Sequence, residues 1–137
     1  MKKFIRGNKA RIILVLIIAC IFWFIWWVNS PEKIDFANNI DNETHQLMDE
    51  SNVLKTNQIS YFSFDQMEET EHYKVAIFRG KDKSIYDSFD LILNEILQKA
   101  PAVYFGFFTP IDEGEYTMRI QDDWDDIVAE GDFKIVK

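Results

Sequence analysis

The amino-acid sequence predicts a membrane-anchored α+β protein: an N-terminal single transmembrane helix followed by one small domain, in which a mainly antiparallel sheet packs on one main helix. Three observations predict this architecture. Residues 12–28 form an apolar run without charge, five basic residues precede this run while all 23 acidic residues follow it, and the remaining segments alternate between strand-like and helix-like patterns.

The apolar run reads IILVLIIACIFWFIWWV from Ile12 to Val28. At about 1.5 Å per residue it reaches about 26 Å, which is close to the thickness of a hydrocarbon core. Trp23, Trp26 and Trp27 lie at its C-terminal end, where indole rings favour the headgroup layer. Because basic residues remain on the cytoplasmic side, we expect residues 1–11 in the cytoplasm and the rest of the chain outside a plasma or inner membrane.

Two other interpretations of this N-terminus are a cleaved signal peptide and a lipoprotein signal. A cleaved signal peptide usually has a shorter apolar core, and the nearest small-x-small site, Val28-Asn29-Ser30, is followed by Pro31. A lipoprotein signal would end at Ala19-Cys20, but eight more apolar residues follow that cysteine. The length of the run therefore favours an uncleaved, single-pass signal anchor.

Residues 29–52 are expected to connect the membrane helix to a domain at residues 53–137. Apolar residues between Glu32 and Asp49 recur at nearly helical spacing, which predicts a juxtamembrane helix. Two aromatic-rich segments follow, Ile59–Phe64 and Tyr73–Arg79, and they predict strands that form a hairpin with an acidic tip.

The main helix is predicted at about residues 84–99. Ser84 and Asp87 match a capping box, and the helix would end before Pro101. The apolar stripe of this helix consists of Ile85, Phe89, Ile92, Leu93, Ile96 and Leu97.

Three further strands are predicted after this helix. Val103–Phe108 is apolar on both faces, which is typical of a central strand. Tyr116–Ile120 alternates as a half-exposed strand, an acidic connection covers Asp122–Glu130, and Phe133–Val136 is a short last strand.

Composition excludes several classes of function. The chain carries a net charge of −8, and the part from Glu32 to Lys137, with 10 basic and 23 acidic residues, carries −13. Such a surface does not neutralise phosphates, so no nucleic acid is expected as a partner. The single cysteine excludes a disulfide framework. The chain has only two histidines, and a hydrolase would need His45 and His72 to lie beside a carboxylate. Since no catalytic or metal-binding motif stands out in the sequence, we expect no enzyme, no cofactor and no resident metal.

Two acidic clusters are the candidate contact residues for a protein partner. One cluster surrounds a tryptophan, and the other lies one strand earlier; together they comprise Asp112, Glu113, Glu115, Asp122, Asp123, Trp124, Asp125 and Asp126. Clustered carboxylates also bind Ca²⁺, although Ile127 stands where an EF-hand loop needs a third ligand. In the plainest interpretation this is a solvated acidic loop, with Trp124 anchored in the core.

These observations predict a non-enzymatic, membrane-anchored acidic binding domain on the extracytoplasmic side. The expected partner is a protein with a basic surface. An immunity protein that neutralises a toxin is one concrete form of this function. The alternatives are an accessory subunit of a membrane complex and a sensor that binds Ca²⁺ or another ligand through the acidic clusters.

Overall fold

A computed structural model describes residues 2–44, 46–65, 72–80, 84–93 and 104–137. The chain divides into two compact units, Met1–Ser30 and Pro31–Lys137. The first unit is a helix and the second is a β-rich domain, and each is described separately below.

Helix α1 spans Lys2–Val28. Its segment Asn8–Val28 is long and apolar enough to cross a membrane, with a mean hydropathy of 2.5. None of this apolar stretch is buried within the protein. At the C-terminal end, the Ser30 hydroxyl donates to the Trp26 carbonyl at 2.8 Å, and Pro31 follows. Because proline has no amide hydrogen, it suits the point where the helix ends. The predicted apolar N-terminal helix is confirmed.

The domain contains ten described strands. In chain order they are β1 (Glu32–Lys33), β2 (Asp35–Ile40), β3 (Leu47–Glu50), β4 (Val53–Lys55), β5 (Ile59–Ser63), β6 (His72–Arg79), β7 (Ser84–Ile92), β8 (Tyr104–Phe108), β9 (Gly114–Gln121) and β10 (Ile127–Val136).

The described strands form two sheets. In the six-stranded sheet, here the large sheet, the order is β1-β10-β9-β6-β7, and β4 also pairs with β10. The pairs among β10, β9, β6 and β7 are antiparallel, whereas the short strands β1 and β4 run parallel to β10. In the four-stranded small sheet the order is β3-β2-β5-β8, with antiparallel pairs throughout. The predicted mainly antiparallel sheet is therefore confirmed.

The core lies between the two sheets and is largely aromatic. Phe36 on β2 lies 5.1 Å from Phe133 on β10, measured between ring centroids, and Phe62 on β5 lies 6.4 Å from Phe89 on β7. Strand β9 shows why the chain folds this way, since its alternating Tyr116, Met118 and Ile120 are all buried. Alternate residues of a strand point to opposite faces, so one face of each sheet joins the core.

The prediction of a main helix at residues 84–99 is wrong over its described part. Ser84–Ile92 is strand β7, which pairs with β6 over eight register positions, while residues 94–99 lie outside the described part of the chain. Phe89 and Leu91 pack against the core and Leu93 is buried. Core-facing side chains therefore recur every two residues, as in a strand, and not every 3.6 residues, as in a helix. Ile85 and Ile92, assigned to the buried helical stripe, are 69% and 79% exposed.

The juxtamembrane segment also differs from its prediction. Residues 32–50 form strands β1, β2 and β3, and they belong to the compact unit that begins at Pro31. Between β2 and β3, the Asp41 carboxylate accepts hydrogen bonds from the amides of Glu43 at 2.7 Å and Thr44 at 2.9 Å. This local hydrogen bonding stabilises a turn where a helix would need a continuous ladder. The predicted connector and helix at residues 29–52 are thus replaced by part of the domain.

Two strand positions differ as well. The segments predicted as a hairpin became β5 and β6, which lie in different sheets. The segment predicted as a central strand became β8, which is the last strand in the order of the small sheet. Aromatic side chains on both faces of β8 suggested full burial, but Phe107 is buried and Phe108 is 75% exposed.

Candidate functional site

The turn between β9 and β10 is built around Asp122. Its side chain is only 3% exposed, and its Oδ1 atom accepts hydrogen bonds from the amides of Trp124 at 2.9 Å and Asp126 at 3.0 Å. The Asp122 amide donates to the Asp126 carbonyl at 3.0 Å, and Asp125 adopts a left-handed backbone with φ of 61°. Asp122 is therefore a structural residue of the turn, and its carboxylate is not presented to a partner.

The same turn presents Trp124 to solvent. Its side chain is 83% exposed, so the expectation that Trp124 is anchored in the core is wrong. Asp123, Asp125 and Asp126 around it are also exposed. A large apolar ring held on a fixed turn among acidic side chains is the arrangement expected of a contact site for a basic partner.

His72 joins this turn to the edge of the large sheet. Its Nδ1 atom lies 3.1 Å from Asp123 Oδ1, and its Nε2 atom lies 3.3 Å from Asp90 Oδ1 on β7. A protonated imidazole can donate to both carboxylates, whereas a neutral one can donate to only one. His72 thus holds the acidic turn and the end of β7 together.

A second exposed apolar residue lies beside this histidine. Ile92, which is 79% exposed, stands opposite His72 in the pairing of β6 with β7. Lys74 lies two residues after His72 on β6, and its Nζ atom is 3.2 Å from Asp125 Oδ1. We call the group Asp90, Ile92, Asp123, Trp124, Asp125 and Asp126 the tryptophan end of the domain.

The other predicted cluster lies at the opposite end of β9. Asp112, Glu113 and Glu115 surround the start of this strand, and seven residue steps separate Gly114 from Gln121, which corresponds to about 23 Å. Arg79 Nη1 lies 3.0 Å from Asp112 Oδ2, and the Lys137 amide donates to Glu113 Oε1 at 3.0 Å. The structure therefore does not bring the two predicted clusters into one site.

A buried tyrosine supports the second cluster. The Tyr116 hydroxyl donates to the Asp112 carbonyl at 2.9 Å, and its ring stacks on Phe133 with centroids 5.7 Å apart. Burial raises the pKa of Tyr116 above its ordinary value of 10.0, and the nearby Arg79 opposes this shift. The hydroxyl is therefore a structural donor at neutral pH.

Among the described residues, no group of three or more His, Cys, Asp or Glu side chains is arranged to hold a metal ion. The two ring nitrogens of His72 face different carboxylates, so these groups do not converge on one point. His45, which a hydrolase would need beside His72, lies outside the described residues.

The domain also contains a groove of about 730 Å³, lined by residues 31, 33–36, 50–52 and 130–132. Asp35, Glu50, Glu130 and Asp132 contribute four carboxylates to its lining, and Lys33 contributes one cation. Glu130 is paired with Arg119 at 2.8 Å, so part of this acidic lining is already neutralised.

No protein-family model matches this chain, and no curated protein matches it. Among solved structures, the chain is similar to the CARDB domain of a Pyrococcus furiosus protein, which was crystallised in complex with di-metal ions. The identity is 14% and the TM-score is 0.35, over 77% of this chain and 86% of the other. A likeness of this degree does not transfer the metal ions or any function.

Sequence reasoning missed two residues of the tryptophan end, Asp90 and Ile92, and it missed His72, which contacts Asp90 and Asp123. The predicted acidic tip of the hairpin includes His72, and the predicted helix includes the other two, where they would lie far from Trp124. The only available signal was alternation in Phe89, Leu91 and Leu93, which leaves Asp90 and Ile92 on the outer face of a strand.

Proposed function

We propose that this protein is a non-enzymatic, membrane-anchored binding domain on the extracytoplasmic side of a cell membrane, and that it binds a protein partner with a basic surface. An immunity protein that neutralises a toxin is the form that best fits a small, tethered and acidic domain. An accessory subunit of a membrane complex fits the same observations and differs only in the identity of its partner.

The observation that carries this proposal is the exposure of Trp124. A tryptophan that is 83% exposed on a turn fixed by Asp122 presents a large apolar area. Because the turn is already ordered, little conformational entropy is lost when a partner covers the ring. Tryptophans in such positions often dominate binding, and their truncation typically costs about 2 kcal/mol or more.

The charge around Trp124 supports a basic partner. Asp123, Asp125 and Asp126 are exposed on the turn itself, and Asp90 lies on the neighbouring strand. Among the contacts described above, Lys74 is the cation that offsets one of these charges, by pairing with Asp125. The remaining negative field accelerates association with a cationic surface and disfavours anionic partners.

The orientation of the chain supports an extracytoplasmic partner. Five basic residues precede the apolar run, and basic residues next to a membrane helix favour the cytoplasmic side. The N-terminus is therefore expected in the cytoplasm. The domain from Pro31 onward then lies outside, where an immunity protein would meet a toxin that acts at the cell surface.

Site-specific photocrosslinking of the full-length protein in its own membrane tests this proposal. Benzoylphenylalanine replaces Trp124 in one strain and Ile85 in a matched control, because Ile85 is 69% exposed on β7. We expect position 124 to form an adduct with a protein whose crosslinked surface is basic, and position 85 to form far less of it. Asp126→Lys should reduce the adduct more than Asp87→Lys, which changes the net charge equally.

Three results would contradict the proposal: equal adducts from both positions, an adduct whose contact surface is acidic, or adducts with lipid alone. A recovered partner then permits a direct affinity measurement. Trp124→Ala should raise its Kd by about 30-fold, which corresponds to about 2 kcal/mol.

A further inference from the structure

Charge is distributed very unevenly between the two sheets. The six strands of the large sheet contain six basic and six acidic residues, whereas the four strands of the small sheet contain three acidic residues and no lysine or arginine. Within the large sheet, Lys74, Arg79 and Arg119 form ion pairs, with Asp125 at 3.2 Å, Asp112 at 3.0 Å and Glu130 at 2.8 Å. The small sheet has no such internal compensation in its strands.

Two acidic side chains lie on the outer face of the small sheet. Glu50 stands opposite Ala37, and Asp35 stands opposite Ser63, so both share the face that alternates with the buried Phe36 and Phe62. Both side chains are exposed, and both also border the groove of about 730 Å³. A negative rim therefore extends along the β2–β3 side of this face.

The β5–β8 side of the same face is apolar. Phe108 is 75% exposed and lies opposite Ile59, which is 48% exposed. Tyr61 and Tyr104 meet edge to face at 6.0 Å between ring centroids. In soluble proteins, neighbouring exposed apolar side chains of this kind commonly mark interaction surfaces.

Gly106 deepens the apolar part of the face. It stands opposite Tyr61, between Tyr104 and Phe108 on β8, and a Cβ atom there would lie 3.4 Å from Ile59 Cγ2 and 3.5 Å from Tyr61 Cε1. The missing side chain leaves a shallow furrow beside Tyr61.

We propose that the outer face of the small sheet docks an extended, basic and amphipathic segment of a protein partner. Apolar side chains of the segment pack on Phe108, Ile59 and Tyr61, while its lysines or arginines reach Asp35 and Glu50. Because the acidic rim and the apolar part share one face, a segment that lies across the strands from β8 toward β3 contacts both of them. A second copy of this chain is disfavoured, since it would bring two acidic rims together.

This inference rests on the proposed function in one respect, because both require a cationic partner. It concerns a different surface, since Trp124 lies on the β9–β10 turn of the large sheet and Phe108 lies on β8 of the small sheet. Variants of the two surfaces therefore separate the two proposals.

Binding of a synthetic peptide tests the docking surface. The probe is a short peptide with a run of valines followed by a run of lysines, and the full-length protein is held in lipid nanodiscs. Phe108→Ser and the double substitution Asp35→Lys/Glu50→Lys are compared with controls on the large sheet. These controls are Ile85→Ser, whose parent side chain is 69% exposed, and Asp87→Lys/Glu115→Lys, which changes the net charge equally.

We expect each small-sheet variant to raise the Kd of the peptide by about tenfold or more, a change of about 1.4 kcal/mol, and each control to raise it by about twofold or less. In the unmodified protein, the peptide should also slow hydrogen exchange at Tyr104–Phe108, which tests the surface without any substitution. A glutamate–valine peptide should not bind.

Several outcomes would overturn the inference. One is an equal loss of peptide affinity from the substitutions on both sheets, and another is no slowing of hydrogen exchange in β8. A third is self-association of the protein that Phe108→Ser abolishes. Peptide binding that only Trp124→Ala weakens would reject this surface while leaving the proposed function intact. Conversely, the small-sheet variants could weaken peptide binding while position 124 forms no crosslink. That result would support the docking surface and reject the tryptophan end as a binding site.

Discussion

Neighbouring aspartates in the β9–β10 turn have different roles because their surroundings differ. Asp122 is buried and accepts two backbone hydrogen bonds, Asp123 contacts His72, and Asp126 is exposed. The sequence identified this group as a candidate site, but it could not distinguish the structural aspartate from the exposed ones. A run of identical side chains contains no information about which member faces the interior of the turn.

Tyr116 provides a test at the scale of one residue. Burial raises the pKa of its hydroxyl, so the folded protein retains this proton at a pH where the unfolded chain has lost it. The free energy of unfolding should therefore be insensitive to Tyr116 below about pH 9 and should fall as the pH rises through 10 toward the higher folded-state pKa.

Tyr116→Phe removes this contribution. Its free energy of unfolding should be about 1 kcal/mol lower at neutral pH, because the hydrogen bond to the Asp112 carbonyl is lost. Between pH 9 and 11 (about one unit on either side of the ordinary tyrosine value), the difference from the unmodified protein should shrink. Urea unfolding of both proteins at several pH values measures this, and parallel curves would show that the Tyr116 proton is not linked to folding.

Strand β7 shows, at the scale of one element, where sequence reasoning succeeded and failed. The segments that became β5, β6, β8, β9 and the end of β10 were identified because aromatic and β-branched residues alternate between polar boundaries. Residues 84–93 fit both the helical period of 3.6 residues and the strand period of two residues. Phe89 and Leu93 belong to the helical stripe and also to the strand pattern. Pairing with eight residues of β6 decides between them, and this contact is long-range.

The close packing of β10 against β2 gives a test at the same scale. A Cβ atom at Gly131 would lie 2.8 Å from Phe36 Cε2 and 2.9 Å from Ile34 Cβ, distances too short for carbon atoms. Gly131→Ala should therefore lower the free energy of unfolding by about 1–3 kcal/mol. Gly106→Ala is the matched control, since its added atom would make ordinary contacts at 3.4 Å or more and should change stability by less than about 1 kcal/mol.

Thermal unfolding of the full-length protein in detergent, followed by circular dichroism, compares these two alanines. For a domain of this size, a loss of 1 kcal/mol lowers Tm by about 4–8 °C. Equal Tm values for Gly131→Ala and the unmodified protein would mean that β10 and β2 separate easily, contrary to the packing described above.

For the whole molecule, the net charge of −8 combines a basic N-terminus with a charge of −13 from Glu32 to Lys137. Within that acidic part, charge is balanced in the strands of the large sheet and wholly acidic in those of the small sheet. Overall composition leads to the hypothesis of a basic partner, but it does not indicate which surface would meet that partner. That surface depends on which strands pair, and the hairpin predicted between β5 and β6 would have mixed the two sheets.

The orientation of the chain across the membrane is the property on which both binding proposals depend. In a Cys20→Ser background, Lys55→Cys places a thiol on β4, where the lysine side chain is exposed, and Lys3→Cys places one before the apolar run. Because the basic residues favour the cytoplasm, the thiol at position 55 should react with an impermeant maleimide in intact cells. The thiol at position 3 should react only after the membrane is permeabilised.

The reverse labelling pattern would place the domain in the cytoplasm and remove the basis for an extracytoplasmic partner. The mass of the labelled Lys55→Cys protein tests the anchor in the same experiment. A product that retains the first 28 residues is anchored by the helix, whereas a product that begins near Pro31 was released by cleavage. Released protein would still carry the tryptophan end and the small-sheet face, but it would meet its partner in solution and not at the membrane surface.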